Sequence, residues 1–144
     1  MKNPFRDIEA SLMRFAAEFA SEHSITAVNL DAHATPTEWP SENFIGLSEM
    51  MIDLGENEIT STLAFVISTR DDTNLYEMSQ LVNHLVNKLM IGNRIRVYDA
   101  AAGTPKGHLI SYKMVRAGRV LNTETQPARP VFVNLISDQM LMRS

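Results

Sequence analysis

Asp71 and Asp72 are adjacent carboxylates at the end of an apolar run, and such a pair can share a proton and do acid–base work. They also stand directly before a helical pattern, where acidic side chains accept hydrogen bonds from free amides and complement the helix dipole, so capping is the expected role. The four histidines, His23, His33, His84 and His108, show no paired metal-ligand spacing and no His-Glu-x-x-His arrangement. No metal or cofactor is expected on that basis. His84, beside an apolar helical stripe, reads as a partly buried packing or interface residue. Ser41, His33 and Asp31 supply the side chains of a nucleophilic triad, but no nucleophile elbow accompanies them. Gly103-Thr104-Pro105-Lys106-Gly107 lacks the Gly-Lys-Ser/Thr ending of a phosphate loop and precedes a strand pattern, so it reads as a hairpin turn. The chain has no cysteine, which excludes disulfides, thiolate nucleophiles and Cys-ligated metals. No catalytic residue is expected from these groups.

The charged and apolar residues that remain fit either ordinary surface and core positions or contacts between proteins. Arg94 and Arg96 alternate with Ile95 and Val97, which places both guanidiniums on one face of a strand. Lys113, Arg116 and Arg119 add positive charge further on, yet few aromatic residues are interleaved with them. With a formal charge of −4, tight nonspecific binding to nucleic acid or anionic lipid is disfavoured. Solvated strand faces, or ion pairs across a subunit contact, fit better. Arg70-Asp71-Asp72 forms a second charged corner. Near the end of the chain, Phe132 and Ile136 lie on the strand face opposite Val131, Val133 and Leu135, so both faces need cover. Helices of the same chain are the first candidates to cover them, with a neighbouring subunit as the competing occupant because exposed apolar patches usually mark contacts. Met140-Leu141-Met142 reads as a flexible apolar tail beginning at about residue 139, and nine methionines supply adaptable packing material.

These residues have to be positioned by a chain of 144 residues that is 44% hydrophobic and 21% charged, the profile of one soluble globular domain. The longest clean apolar run, Leu63 to Ile67, falls far short of the roughly 20 residues a membrane helix needs, and the N-terminus carries no export signal. Phe5, Ile8, Leu12, Phe15, Ala16 and Phe19 recur at helical spacing behind Asn3-Pro4, with Asn3 placed to cap and Pro4 at the first helical position. A short strand is expected from Ile25 to Leu30, followed by an irregular loop over 31–42 that contains Pro36, Trp39 and Pro40. Phe44 to Leu54 and Ile59 to Thr69, joined by Gly55-Glu56-Asn57-Glu58, read as a hairpin. Leu75, Met78, Leu81, Val82, Leu85 and Leu89 mark a second helix, opened by Asp72-Thr73-Asn74 with Glu77 for a capping box and closed by Gly92. Strands are expected at Arg94 to Asp99, His108 to Leu121 and Val131 to Ile136. Two helices cannot supply a crossover for every parallel pair, so the expected fold is α+β: a mostly antiparallel mixed sheet with two main helices packed on it.

This arrangement resembles the tail terminator proteins of long-tailed bacteriophages and prophages. The resemblance rests on the N-terminal amphipathic helix, the hairpin ending in Phe65-Val-Ile-Ser-Thr-Arg-Asp-Asp72, and the helix carrying Leu75-Tyr-Glu-Met-Ser-Gln-Leu-Val-Asn83. The strands Arg94-Ile-Arg-Val-Tyr98 and Val131-Phe-Val-Asn-Leu-Ile136 complete it. It implies a non-enzymatic structural protein found in the virion tail, or in the host bacterial cytoplasm during assembly. Its subunits would form a ring, expected to be hexameric, that caps the tail tube, ends its polymerisation and offers the head-joining surface. The implied partners are the chain itself, the tail tube protein and a head-side connector, with DNA only passing through the bore and no membrane involved. The interface residues expected are Arg70, Asp71, Asp72, Arg94, Arg96, Phe132 and Ile136. The competing reading is a small cytoplasmic ligand-binding or enzymatic α+β domain with a site near the 31–42 loop.

Overall fold

A computed structural model describes residues 2–32, 39–123 and 125–144. The first apolar stripe becomes α1, Pro4–His23, which buries Ile8, Leu12, Ala16 and Phe19. Pro4 occupies the first turn, where its missing N–H costs nothing. Asn3 does not cap with its side chain. It enters the helix in a left-handed conformation, and its backbone carbonyl accepts from the Asp7 amide.

After β1 (Thr26–Asn29) and a 3-10 turn (Leu30–Ala32), the chain forms the expected hairpin, β2 (Phe44–Leu54) and β3 (Ile59–Ser68). The second helical stripe gives α2, Tyr76–Lys88, burying Met78, Leu81, Val82 and Leu85. Gly92 lies beyond the helix end at φ 96, and the Asn93 side chain donates to the carbonyls of Asn87 and Lys88, so Asn93 closes the helix together with the glycine turn. The remaining strands are β4 (Arg94–Tyr98), β5 (Pro105–Ala117), β6 (Leu121–Asn122) and β7 (Pro127–Ser137).

The sheet runs β1-β2-β3-β7-β5-β4, with β6 also pairing β7. β1 pairs with β2 in parallel and the other pairs are antiparallel, so the fold is α+β with a mixed, mostly antiparallel sheet. Both main helices cover one sheet face, where Ile45, Phe65, Val131 and Leu135 meet Leu12, Phe19 and Leu85. The other face holds a smaller cluster of Leu30, Phe44, Ala64, Val66 and Ala128, with Trp39 and Phe132 packed against it. Among the described residues no helix is long and apolar enough to cross a membrane.

Two segments differ from the sequence reading. Pro105 and Gly107 lie inside β5, and the turn before it is built by Asp99, whose carboxylate accepts from the amides of Ala101 and Ala102. A proline is tolerated as the first residue of a strand because no ladder bond needs its N–H. The segment expected as a flexible tail is a third helix, α3 (Gln139–Arg143), capped by the Asp138 carboxylate at the Leu141 amide. Leu141 is fully buried over Gly107, where φ is 154 and a Cβ would overlap the Leu141 backbone. Gly107→Ala is therefore expected to displace α3 and destabilise the protein by about 1–3 kcal/mol, an overpacking cost read as a lowered Tm.

Candidate functional site

Strand register decides which side chains share the face that the helices leave uncovered. Thr60, Ile136, Ile110 and Arg94 are cross-strand partners in one row, and Ala64, Phe132 and Arg116 form a second. Arg96, two residues along β4 and paired with His108, points the same way. Arg94, Arg96, Phe132 and Ile136 are thus brought to the same side of the sheet, opposite α1 and α2. Phe132 is half-buried against the second apolar cluster, Ile136 is also half-buried, and both arginines are exposed. A cleft of about 900 Å3 crosses this face, with Thr62 and Asn134 on its floor and Met51, Met114, Phe132 and Arg116 around it. Met51 and Met114 are 61% and 39% exposed, which makes the cleft an adaptable apolar surface, with Asp31, Glu49 and Arg116 as the charged residues in its lining.

Arg70, Asp71 and Asp72 lie elsewhere. Ser68, just before them, pairs with Ala128, whereas Ile136 pairs with Thr60 at the other end of β3. At about 3.4 Å per residue the two groups are separated by on the order of 25 Å along the strand. Arg70 and Asp71 are exposed and form a loose ion pair at 3.6 Å. Asp72 has a local role: its carboxylate accepts from the amides of Glu77 and Met78 and from the Thr69 hydroxyl at 2.8–2.9 Å. Burial pushes its carboxyl up, but those three donors outweigh burial and hold it below the usual range. The expected capping role therefore belongs to Asp72 alone, and it reaches across a 3-10 turn (Thr73–Leu75) instead of sitting at the helix boundary. Glu77 does not close a capping box; its carboxylate accepts from the Asn43 side chain. Asp72→Ala is expected to cost about 1–2 kcal/mol, and Asp71→Ala close to nothing, in urea denaturation.

The remaining candidates are scattered. His84 is exposed, where partial burial was expected, and its ring lies 4.8 Å from that of His23, which itself stacks on Phe19 at 4.4 Å. The Asp31 carboxylate is taken up by the amides of Glu49 and Met50, where β2 bulges away from regular pairing. The Ser41 carbonyl accepts from Arg70, and His33 lies outside the described residues, as do the other residues of 33–38. Trp39 packs edge-on against Phe44. Among the described residues no group of three His, Asp or Glu side chains could hold a metal ion. The His108 ring contacts the Asp138 carboxylate at 3.0 Å, and Arg94 approaches the same oxygen at 3.8 Å. Burial pushes the Asp138 carboxyl up, but the Leu141 amide and the His108 backbone and ring overcome it and keep the group ionised.

A second cleft, of about 550 Å3, runs beside β4 between α1 and the end of α2. Arg14, Lys88, Arg94 and Arg96 line it, with Glu18 as the sole carboxylate among its lining residues. The Arg14 guanidinium lies 3.9 Å above the Tyr98 ring, which fixes it at the cleft wall. No protein-family model matches the chain, and no curated protein aligns with it. The site is therefore described by its own geometry: an apolar cleft on the uncovered sheet face, and a basic cleft along the β4 edge.

Proposed function

We propose that this protein is a structural subunit of a bacteriophage or prophage tail, forming a closed ring that caps the tail tube, ends its polymerisation and presents the head-joining surface. The observation that carries this reading is the asymmetry of the sheet. One face is sealed by α1 and α2, while the other carries half-buried Phe132 and Ile136 with exposed Met51 and Met114, and Arg94 and Arg96 stand at the β4 edge, where they line the basic cleft. A ring needs two different patches that meet head to tail, and this molecule offers an apolar cleft and a separate basic cleft. Two edge strands, β1 and β4, end the sheet on opposite sides and add directional surfaces for such contacts. In this role the side chains work by complementarity, and DNA passes through the bore without being gripped, as a formal charge of −4 favours. The hexameric count, and residence in the virion tail or in the bacterial cytoplasm during assembly, belong to the same proposal. Purified protein added to its cognate tube protein during polymerisation is expected to give shorter tubes, each with density at one end in negative-stain images. Tubes of unchanged length with bare ends would contradict the reading.

A further inference from the structure

The outer edge of β4 is open over part of its length. The Asn93 carbonyl accepts from the Ser111 amide on the β5 side, whereas the Tyr98 amide points away from β5 and donates to the Ser11 hydroxyl of α1, both at 2.9 Å. Alternation along the strand then aims the main-chain groups of Arg94 and Arg96 outward, into the basic cleft. Arg14 pairs with Glu18 at 3.2 Å and Lys88 with Glu22 at 2.9 Å, which leaves backbone donors beside the exposed Arg94 and Arg96 as the surface suited to an extended or turning acidic segment. The chain itself presents such a segment. Asp53, Leu54, Glu56 and Glu58 surround the β2–β3 turn and are all exposed, with Leu54 at 50%. No ion pair engages these three carboxylates among the described residues. The Gly55 amide closes the turn on the Glu58 carbonyl at 2.8 Å, so the tip is already ordered and loses little entropy on docking.

We propose that the acidic β2–β3 tip of one copy docks in the basic cleft beside β4 of the next, with Glu56 and Glu58 meeting Arg94 and Arg96. The contact is head to tail, rests on the ring reading above, and names the two surfaces that join neighbouring copies. Within one chain Glu18 and Glu22 pair with Arg14 and Lys88, so the carboxylates of a neighbouring copy's tip meet the exposed Arg94 and Arg96.

The absence of native cysteine allows a direct test on the full chain. Glu56→Cys and Arg96→Cys variants, purified separately, mixed and treated with a short bismaleimide, are expected to give a cross-linked dimer that neither variant gives alone. The double variant is expected to give a ladder ending in a closed species. Arg96→Glu is expected to lower assembly at least tenfold in concentration dependence, and adding Glu56→Arg to restore it; circular dichroism confirms that each variant is folded. Rings in native mass spectra without the Glu56–Arg96 cross-link would overturn this contact and leave the ring reading standing. A cross-linked dimer with no closed ring would support the contact and remove the ring reading. A monomer with no cross-link at any concentration would overturn both.

Discussion

Asp7→Ala is expected to be among the most destabilising single substitutions in the protein, costing about 3–5 kcal/mol in urea denaturation, because it removes one partner of a buried ion pair. Asp7 is 0% exposed on the inner side of α1. Its carboxylate accepts from Lys106 at 2.6 Å, from the Ala100 amide at 3.0 Å and from Arg6 at 2.9 Å. The Lys106 side chain is only 11% exposed, so the substitution leaves its ammonium with the Lys2 carbonyl but no carboxylate, and takes the acceptor from the Ala100 amide. The three donors come from α1, the turn after β4 and the start of β5, so Asp7 ties the N-terminal helix to the edge of the sheet. The pH dependence has a definite sign. Burial pushes the Asp7 carboxyl up, but Lys106, Ala100 and Arg6 together hold it below its usual 3.8. A carboxyl lowered in the folded state contributes stability above its unfolded pKa, and that contribution fades as pH falls through the lowered value. The stability gap between wild type and Asp7→Asn is therefore expected to be full above about pH 5 and to narrow as pH drops below about 4. A gap that widened in acid would contradict this assignment.

The second large effect concerns assembly. Replacing Arg94 and Arg96 together by Glu is expected to leave the Tm nearly unchanged, since both side chains are exposed and Arg94 makes only a 3.8 Å approach to Asp138. The same change reverses the charge of the basic cleft and places carboxylates opposite the acidic hairpin tip. Like charges brought together cost several kcal/mol across an interface, so the double variant is expected to remain monomeric at concentrations where the wild type assembles. Sedimentation velocity at low salt and at about 0.5 M salt separates the two contributions. Screening shortens the reach of charge to a few ångströms, so part of the lost association is expected to return at high salt. A variant that assembled as the wild type does would remove Arg94 and Arg96 from the interface.

How much of this was legible in the sequence depended on how local the cause was. α1, the β2–β3 hairpin and α2 each announce themselves within a single window, through helical spacing of Leu12 and Phe19, alternation around Phe65, and Gly55-Glu-Asn-Glu58 between two β-rich runs. α3 did not, because five residues show no periodicity and Leu141 is buried by distant parts of the chain, among them Gly107, more than thirty positions earlier. The Asp72 cap was readable in kind but not in place, since left-handed Asn74 and Leu75 insert an extra turn before α2. Alternation placed Arg94 with Arg96 and Phe132 with Ile136, yet only the β4-β5-β7 pairing puts the two pairs on one face. The irregular stretch of β5 around Lys113, at φ 63, breaks that alternation between Ser111 and Val115 and gives no sequence signal. The basic cleft was hidden for the same reason: Arg14 and Lys88 come from two helices and meet the β4 arginines only in the folded chain.

The proposal that this protein works as a ring is tested most directly by native mass spectrometry of the purified chain over a range of concentration and salt, followed by negative-stain imaging of the largest species. The expected result is a discrete closed oligomer, images of which show an open centre. Nothing larger than a dimer at the highest concentration, with or without the tube protein, would contradict it.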